Sequence, residues 1–211
     1  MKIKGIIFDL DGVIISTDEF HYLAWKKMAD TEGIYFDRII NNRLRGVSRM
    51  ESLEIILERA TKSYSDEQKL EMATSKNNDY RQFLNRLTPK DVSQEVLETL
   101  KLLKSKGLKM AIASSSKNTR LILQNIGLTE LFDAIVDGND ISHSKPDPEV
   151  FVKAQKKLGL ENYECLVIED AIAGIDAGSA AKIETCGIGD ASKYSKTTYP
   201  ITTISDILKH I

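Results

Sequence analysis

No apolar run in this chain approaches the roughly 18 residues needed to cross a bilayer, so no membrane association is expected. Positive charge is not concentrated anywhere. The 29 Lys and Arg are dispersed among 31 Asp and Glu, for a formal net charge of -2. Without a basic block to neutralise a phosphate backbone, nucleic acid is not an expected partner. Cysteine is scarce: Cys165 and Cys186 form neither a CxxC pair nor a metal-ligand spacing, which leaves no thiol-based redox or metal motif. Cys165 opens an apolar, strand-like run and reads as a buried structural thiol. There is no internal repeat and no low-complexity segment. The apolar stretch over residues 1–15 is interrupted by Asp9 and Asp11, and no small-residue cleavage site follows it, so a cytoplasmic chain is expected rather than an exported one.

What is present suits a globular protein. With 211 residues, 42% hydrophobic and 28% charged, the chain can bury a full core and hold one domain or one and a half. Four short apolar runs, at residues 3–8, 108–113, 134–136 and 165–168, read as strands. Residues 183–188 and 201–204 are weaker candidates. The runs are continuous rather than alternating, as expected of parallel strands covered on both faces. Between them lie helical patterns with marked ends. Ser93 caps a helix carrying Val96, Leu97, Leu100 and Leu103 that Gly107 stops; residues 120–126 end at Gly127, and 148–158 at Gly159. From about residue 91 onward strand and helix alternate, which implies an α/β domain built on a parallel sheet.

Residues 16–87 differ. They hold three helical patterns and no convincing strand. The first covers about residues 18–32. The second opens with Ser48 and Glu51 in capping-box spacing and carries Leu53, Ile56, Leu57 and Ala60 on one face. The third opens with Ser65 and Gln68 in the same spacing and runs to Leu87. Thr88-Pro89 then marks a linker. The expected organisation is a core of residues 1–15 and 88–211 with a helical insert at 16–87.

Four polar groups follow strand ends, where an open parallel sheet places its ligand crevice. After the first strand comes Phe8-Asp9-Leu10-Asp11-Gly12. One carboxylate there can attack phosphorus and the other can exchange a proton with a substrate oxygen. Ser114-Ser115-Ser116-Lys117-Asn118 offers hydroxyls, backbone N–H groups and a lysine to a phosphate. Lys145-Pro146-Asp147-Pro148 offers a fixed point charge. Glu169-Asp170 supplies hard oxygen ligands of the kind Mg²⁺ takes. Taken singly, each also reads as a turn or a helix cap; the combination, in this order, is specific.

These residues resemble the haloacid dehalogenase superfamily over residues 3–178. The resemblance implies a Rossmann-like core, an inserted helical cap, Mg²⁺ and an aspartyl-phosphate intermediate. It makes Asp9 the nucleophile and a metal ligand, and Asp11 the general acid/base with its carbonyl also on the metal. Ser114 and Lys145 hold the transferring phosphoryl group, and Glu169 and Asp170 complete the metal site. The helical insert is similar to that of the β-phosphoglucomutase family, through residues 20–25, 45–53 and 76–80. That similarity implies a phosphosugar mutase that interconverts β-glucose 1-phosphate and β-glucose 6-phosphate through a sugar bisphosphate, β-glucose 1,6-bisphosphate; separately, a monomer is expected. Arg49, with Ser116, Lys117 and Asn118, would bind the second phosphate. Thr17 belongs to the same substrate-binding set, His21 and Lys76 would respond to closure, and Trp25, Gly46, Val47 and Ser52 would line the sugar pocket. Ser16 departs from the family, where an aspartate is usual. The runner-up reading is a phosphatase of a small phosphosugar or phosphorylated polyol, which the same Asp9 and Asp11 would serve with water as acceptor.

Overall fold

The computed structural model describes residues 3–45 and 47–211, so Gly46 lies outside the described residues. Six parallel strands form one sheet: β1 (Gly5–Phe8), β2 (Lys109–Ala113), β3 (Ala134–Val136), β4 (Cys165–Glu169), β5 (Glu184–Gly187) and β6 (Tyr199–Pro200), in the order β3-β2-β1-β4-β5-β6. The chain builds outward from β1 to β3, then crosses back to start β4 on the other side. The carboxyl ends of β1 and β4 therefore flank the topological switch point, where such sheets bind ligands. Phe8 pairs with Ile112 on one side and Ile168 on the other, which brings the next residues of all three strands to one edge.

All four residues of β1 and all five of β4 are buried, the reason their sequences are apolar without alternation. One face packs Ile7, Ala111, Val136 and Val167 against Val150, Phe151, Ala154 and Leu158 of α7 (Glu149–Leu158) and Ala177 of α8 (Ile172–Ala180). Alternation along the strands sends Ile6, Phe8, Met110 and Ile112 to the opposite face, and each is 0% exposed. Gly159 ends α7 in the left-handed conformation, at φ 66°.

The chain divides into two compact units, one formed by the residues up to Ser16 together with Leu87–Ile211, the other by Thr17–Arg86. The second unit holds α1 (Asp18–Thr31), α2 (Arg38–Asn42), α3 (Arg49–Leu57) and α4 (Asp66–Leu84). Both capping boxes form: Ser48 with Glu51, and Ser65 with Gln68. Trp25, Met28, Phe36, Ile40, Leu53, Ile56 and Met72 make its core. The sheet unit contains α5 (Gln94–Ser105) and α6 (Thr119–Asn125) besides α7 and α8. Among the described residues no helix is long and apolar enough to cross a membrane.

Four expectations need correction. Residues 201–204 are not a strand: the edge strand stops at Pro200, and a 3-10 helix, Ile204–Lys209, begins where Asp206 accepts from the backbone N–H groups of Thr202 and Thr203. Ile201 and Ile204 are buried anchors on either side of that turn. The insert has a fourth helix, α2. At five residues it is too short to show a periodicity, and the Asp37 carboxylate caps it by accepting from Ile40 N at 2.8 Å. The third expected helix ends at Leu84 rather than Leu87, and α3 stops at Leu57, before Ala60.

Candidate active site

Asp9 leaves β1 with its backbone N–H donating to Ile168 O at 2.9 Å, which fixes its Cα beside the end of β4. Lys145 Nζ donates to Asp9 Oδ1 at 2.5 Å and to Glu169 Oε1 at 3.2 Å. The lysine is 3% exposed, and its ammonium sits 4.8 Å from the centre of the Phe151 ring. Burial by itself would lower its pKa. The Asp9 and Glu169 carboxylates outweigh burial and hold it above the ordinary lysine range.

Ligand oxygens of Asp9, Glu169 and Asp170 all lie within 4.8 Å of one another. Glu169 Oε2 is buried with no hydrogen-bond partner. Burial first, and the Asp9 charge second, push the Glu169 carboxyl well above its usual range, against the pull of Lys145. Three carboxyl groups and the Lys145 ammonium thus crowd a place mostly closed to water. Such an arrangement is costly without a further cation. Three hard oxygen donors close together and an orphaned buried lone pair fit a divalent metal of the oxygen-seeking kind.

Two glycines make the space. A Cβ on Gly174 would fall 1.7 Å from Glu169 Oε1, and one on Gly12 would fall 2.2 Å from Asp170 Oδ2. Gly12 also has φ 83°, which a residue with a side chain rarely adopts. Asp11 is half-buried in this turn, where Gly12 N donates to Ile15 O at 2.8 Å.

After β2, Ser114 is buried, and its N–H donates to Val136 O at 3.0 Å. The loop is stitched by its own hydroxyls: Ser116 N donates to Ser114 Oγ and Asn118 N to Ser116 Oγ, both at 3.2 Å. Asn118 is buried, Ser116 half-buried and Lys117 exposed. Ser115 Oγ, named in the phosphate-cradle segment but given no role of its own, is buried without a partner. Gly138 lets the segment after β3 close on this loop, since a Cβ there would meet Ser115 O at 2.3 Å.

In the helical unit, Lys76 Nζ meets His21 Nδ1 at 2.9 Å and stands over the rings of Trp25 and Tyr80. Thr17 is buried, its hydroxyl bonded to that of Tyr80. Trp25 belongs to the apolar core, Ser52 to the buried face of α3, and Val47 is half-buried just before that helix. Arg38, Arg43 and Arg45 are each paired, with Glu19, Glu58 and Asp18. Arg49 is half-buried, and among the described residues it has no such carboxylate. Tyr80, Gly12 and Gly174 were missed as contributors by the sequence reading. Only the spacing of Tyr80 from Lys76, one helical turn, could have signalled the first.

The Asp9 carboxylate, the buried lysine and the acidic pair thus occupy one strand edge. The haloacid dehalogenase-like hydrolase family matches residues 3–182. The chain belongs to this family. Among relatives, the β-phosphoglucomutase of Bacillus subtilis (strain 168) is 40% identical over 97% of this chain and 91% of its own length. The phosphorylated carbohydrates phosphatase of Thermotoga maritima is 28% identical over 86% of this chain and 82% of its own. The crystal structure of β-phosphoglucomutase from Clostridium difficile superposes with a TM-score of 0.90 at 38% identity, covering 97% of this chain and 93% of that one.

Proposed function

We propose that this chain interconverts β-glucose 1-phosphate and β-glucose 6-phosphate through a phosphoryl group carried on Asp9, with β-glucose 1,6-bisphosphate as the intermediate. An oxygen of the Asp9 carboxylate attacks phosphorus of the bisphosphate, and the bond from phosphorus to the sugar oxygen breaks. Asp11 gives its proton to the departing oxygen. In the return step Asp11 takes the proton from the acceptor hydroxyl of the next sugar phosphate, whose oxygen displaces Asp9 from phosphorus. Lys145 keeps one Asp9 oxygen in place and neutralises charge on the transferring group, with Ser114 as a further hydrogen-bond donor. Asp9, Glu169, Asp170 and the Asp11 carbonyl would hold Mg²⁺, which when bound offsets their charge and polarises the phosphoryl oxygens.

The observation that carries the mutase reading is Arg49. A mutase substrate keeps a second phosphate that does not transfer, and a half-buried arginine with no acidic partner among the described residues is suited to grip it bidentately. The relatives support the same choice. A second reading, hydrolysis of a phosphosugar, uses the same core with water as acceptor, and the Thermotoga maritima relative favours it. Phosphorus NMR of the chain with β-glucose 1-phosphate, Mg²⁺ and a trace of bisphosphate separates the two. Glucose 6-phosphate should accumulate; free phosphate as the main product would refute the mutase.

A further inference from the structure

Tyr80 has no part in the reaction above, yet Thr17, His21 and Lys76 gather around it. It lies on α4, is 1% exposed, and shares a buried 2.8 Å hydrogen bond with the Thr17 hydroxyl. Its ring centroid is 4.0 Å from that of His21 and 4.7 Å from the Lys76 ammonium. Lys76, itself 2% exposed, is also 4.6 Å from the centre of the Trp25 ring. Two aromatic faces favour the charged form of the lysine, because each presents its negative side to it. An ammonium has hydrogens to donate and no lone pair with which to accept. In the 2.9 Å contact between Lys76 Nζ and His21 Nδ1, the lysine is therefore the donor and Nδ1 the acceptor. A neutral imidazole that accepts at Nδ1 carries its proton on Nε2. The other tautomer would set an N–H against the ammonium hydrogens. A second ring proton is opposed by burial and by the charges of Lys76 and Arg49.

We propose that Tyr80 is a positioning residue: its ring and hydroxyl fix Lys76 and Thr17 so that His21 is locked as the Nε2–H tautomer and presents a hydrogen-bond donor. The effect on turnover rests on the proposed mutase reaction, whereas the tautomer is a property of the chain alone. The consequence is directional. With its proton on Nε2, His21 can donate there to a phosphate oxygen or a carboxylate but cannot serve as a base at that nitrogen. Removing the Tyr80 ring frees the ammonium to move, and with it the constraint on the proton.

Long-range ¹H–¹⁵N NMR of the labelled, ligand-free protein near neutral pH reads the tautomer. The chain has 3 histidines, and a His21→Asn sample assigns the signal. Wild type should show His21 neutral with the proton on Nε2. Tyr80→Leu should give a mixture of tautomers and lower kcat/KM for β-glucose 1-phosphate about tenfold, mainly through KM. Tyr80→Phe keeps the ring and should keep both the tautomer and most of the activity. If Tyr80→Leu does not fold, Lys76→Met removes the donor and should release the tautomer in the same spectrum. His21 protonated on Nδ1 or on both nitrogens in wild type overturns the proposal, as does an unchanged His21 signal in Tyr80→Leu or Lys76→Met. Should the tautomer shift as expected while wild type converts no β-glucose 1-phosphate, the role of Tyr80 is upheld and the mutase reading is refuted.

Discussion

Replacing Lys145 by Met keeps an unbranched apolar stem at a site that is 3% exposed and deletes only the charge. Asp9 and Glu169, bonded to that ammonium at 2.5 and 3.2 Å, then face each other with Asp170 alongside. Removing one partner of a buried ion pair costs about 3–5 kcal/mol, because the other charge is left uncompensated. That is a large share of the roughly 5–15 kcal/mol that holds a domain folded. The chain can recover some of it by protonating Glu169, whose carboxyl is already pushed up by burial and then by Asp9. A carboxyl with a raised folded pKa binds more protons folded than unfolded, so stability falls as pH rises from about 4.5 through the raised value. The Lys145 contribution has the opposite origin. Its folded pKa is raised, so that contribution is complete below the unfolded value near 10.5 and is lost only in strong alkali.

The deficit of Lys145→Met should therefore be smaller in mild acid, reach full size at neutral pH or above, and shrink when Mg²⁺ occupies the same oxygens. Urea unfolding in EDTA at two pH values, repeated with Mg²⁺, measures this. Adding Asp9→Asn to Lys145→Met should restore part of the loss, with a coupling of roughly 1–3 kcal/mol. A variant within about 1 kcal/mol of the parent in EDTA at neutral pH, where the pair should cost far more, would refute the reasoning. So would strict additivity of the double variant.

Gly174→Ala should drive the Glu169 carboxylate from its position, since a Cβ would lie 1.7 Å from Oε1; calorimetry should then show Mg²⁺ binding about 10–100-fold weaker, and unchanged affinity would count against Glu169 as a ligand. Arg49→Ala should lower kcat/KM for β-glucose 1-phosphate about 10–100-fold while hydrolysis of a small phosphate ester falls far less; equal losses would exclude Arg49 as the second-phosphate ligand. Glu149 is held at about 2 by Lys153 first and by the N–H groups of His143 and Ser142, so its stabilisation is present above the unfolded value near 4.5 and lost as pH falls through about 2. Glu149→Gln should thus be less stable than the parent at neutral pH and converge with it in strong acid, as thermal melts across that range would show.

The sheet was legible because its strands are buried on both faces, and a run such as Gly5-Ile6-Ile7-Phe8 has no other stable use before two aspartates. The four strand-end groups were legible for the same reason: once the strands are placed, their exits are placed. What stayed hidden was set by contacts distant in sequence. The cap of α2 depends on one carboxylate, Asp37, and five residues carry no periodicity. The end of the sheet at Pro200 was decided by Asp206 gathering two N–H groups into a turn. Gly12 and Gly174 look like ordinary glycines until the carboxylates that fill their vacant Cβ positions are in place. Tyr80 looked like one more aromatic on a helix until Thr17, His21 and Lys76 gathered around it.

The core alone does not decide what receives the phosphoryl group, since in the proposed reaction water and a sugar hydroxyl would meet the same Asp9 and Asp11. The proposal looks to the helical unit, where the four arginines between residues 38 and 49 divide. Arg38 and Arg43 each grip a glutamate with two nitrogens, and Arg45 meets Asp18 at 2.7 Å; their charge is already spent within the unit. Arg49 opens α3 half-buried, its pKa lowered by burial and by Arg81, with Tyr80 acting in the opposite sense. A partly desolvated cation without a carboxylate gains most when a dianion arrives. A sugar carrying a second phosphate brings that dianion, and water does not. A hydrolase acting on a monophosphate would gain little from such a residue, whereas a mutase requires a cation for the phosphate that stays.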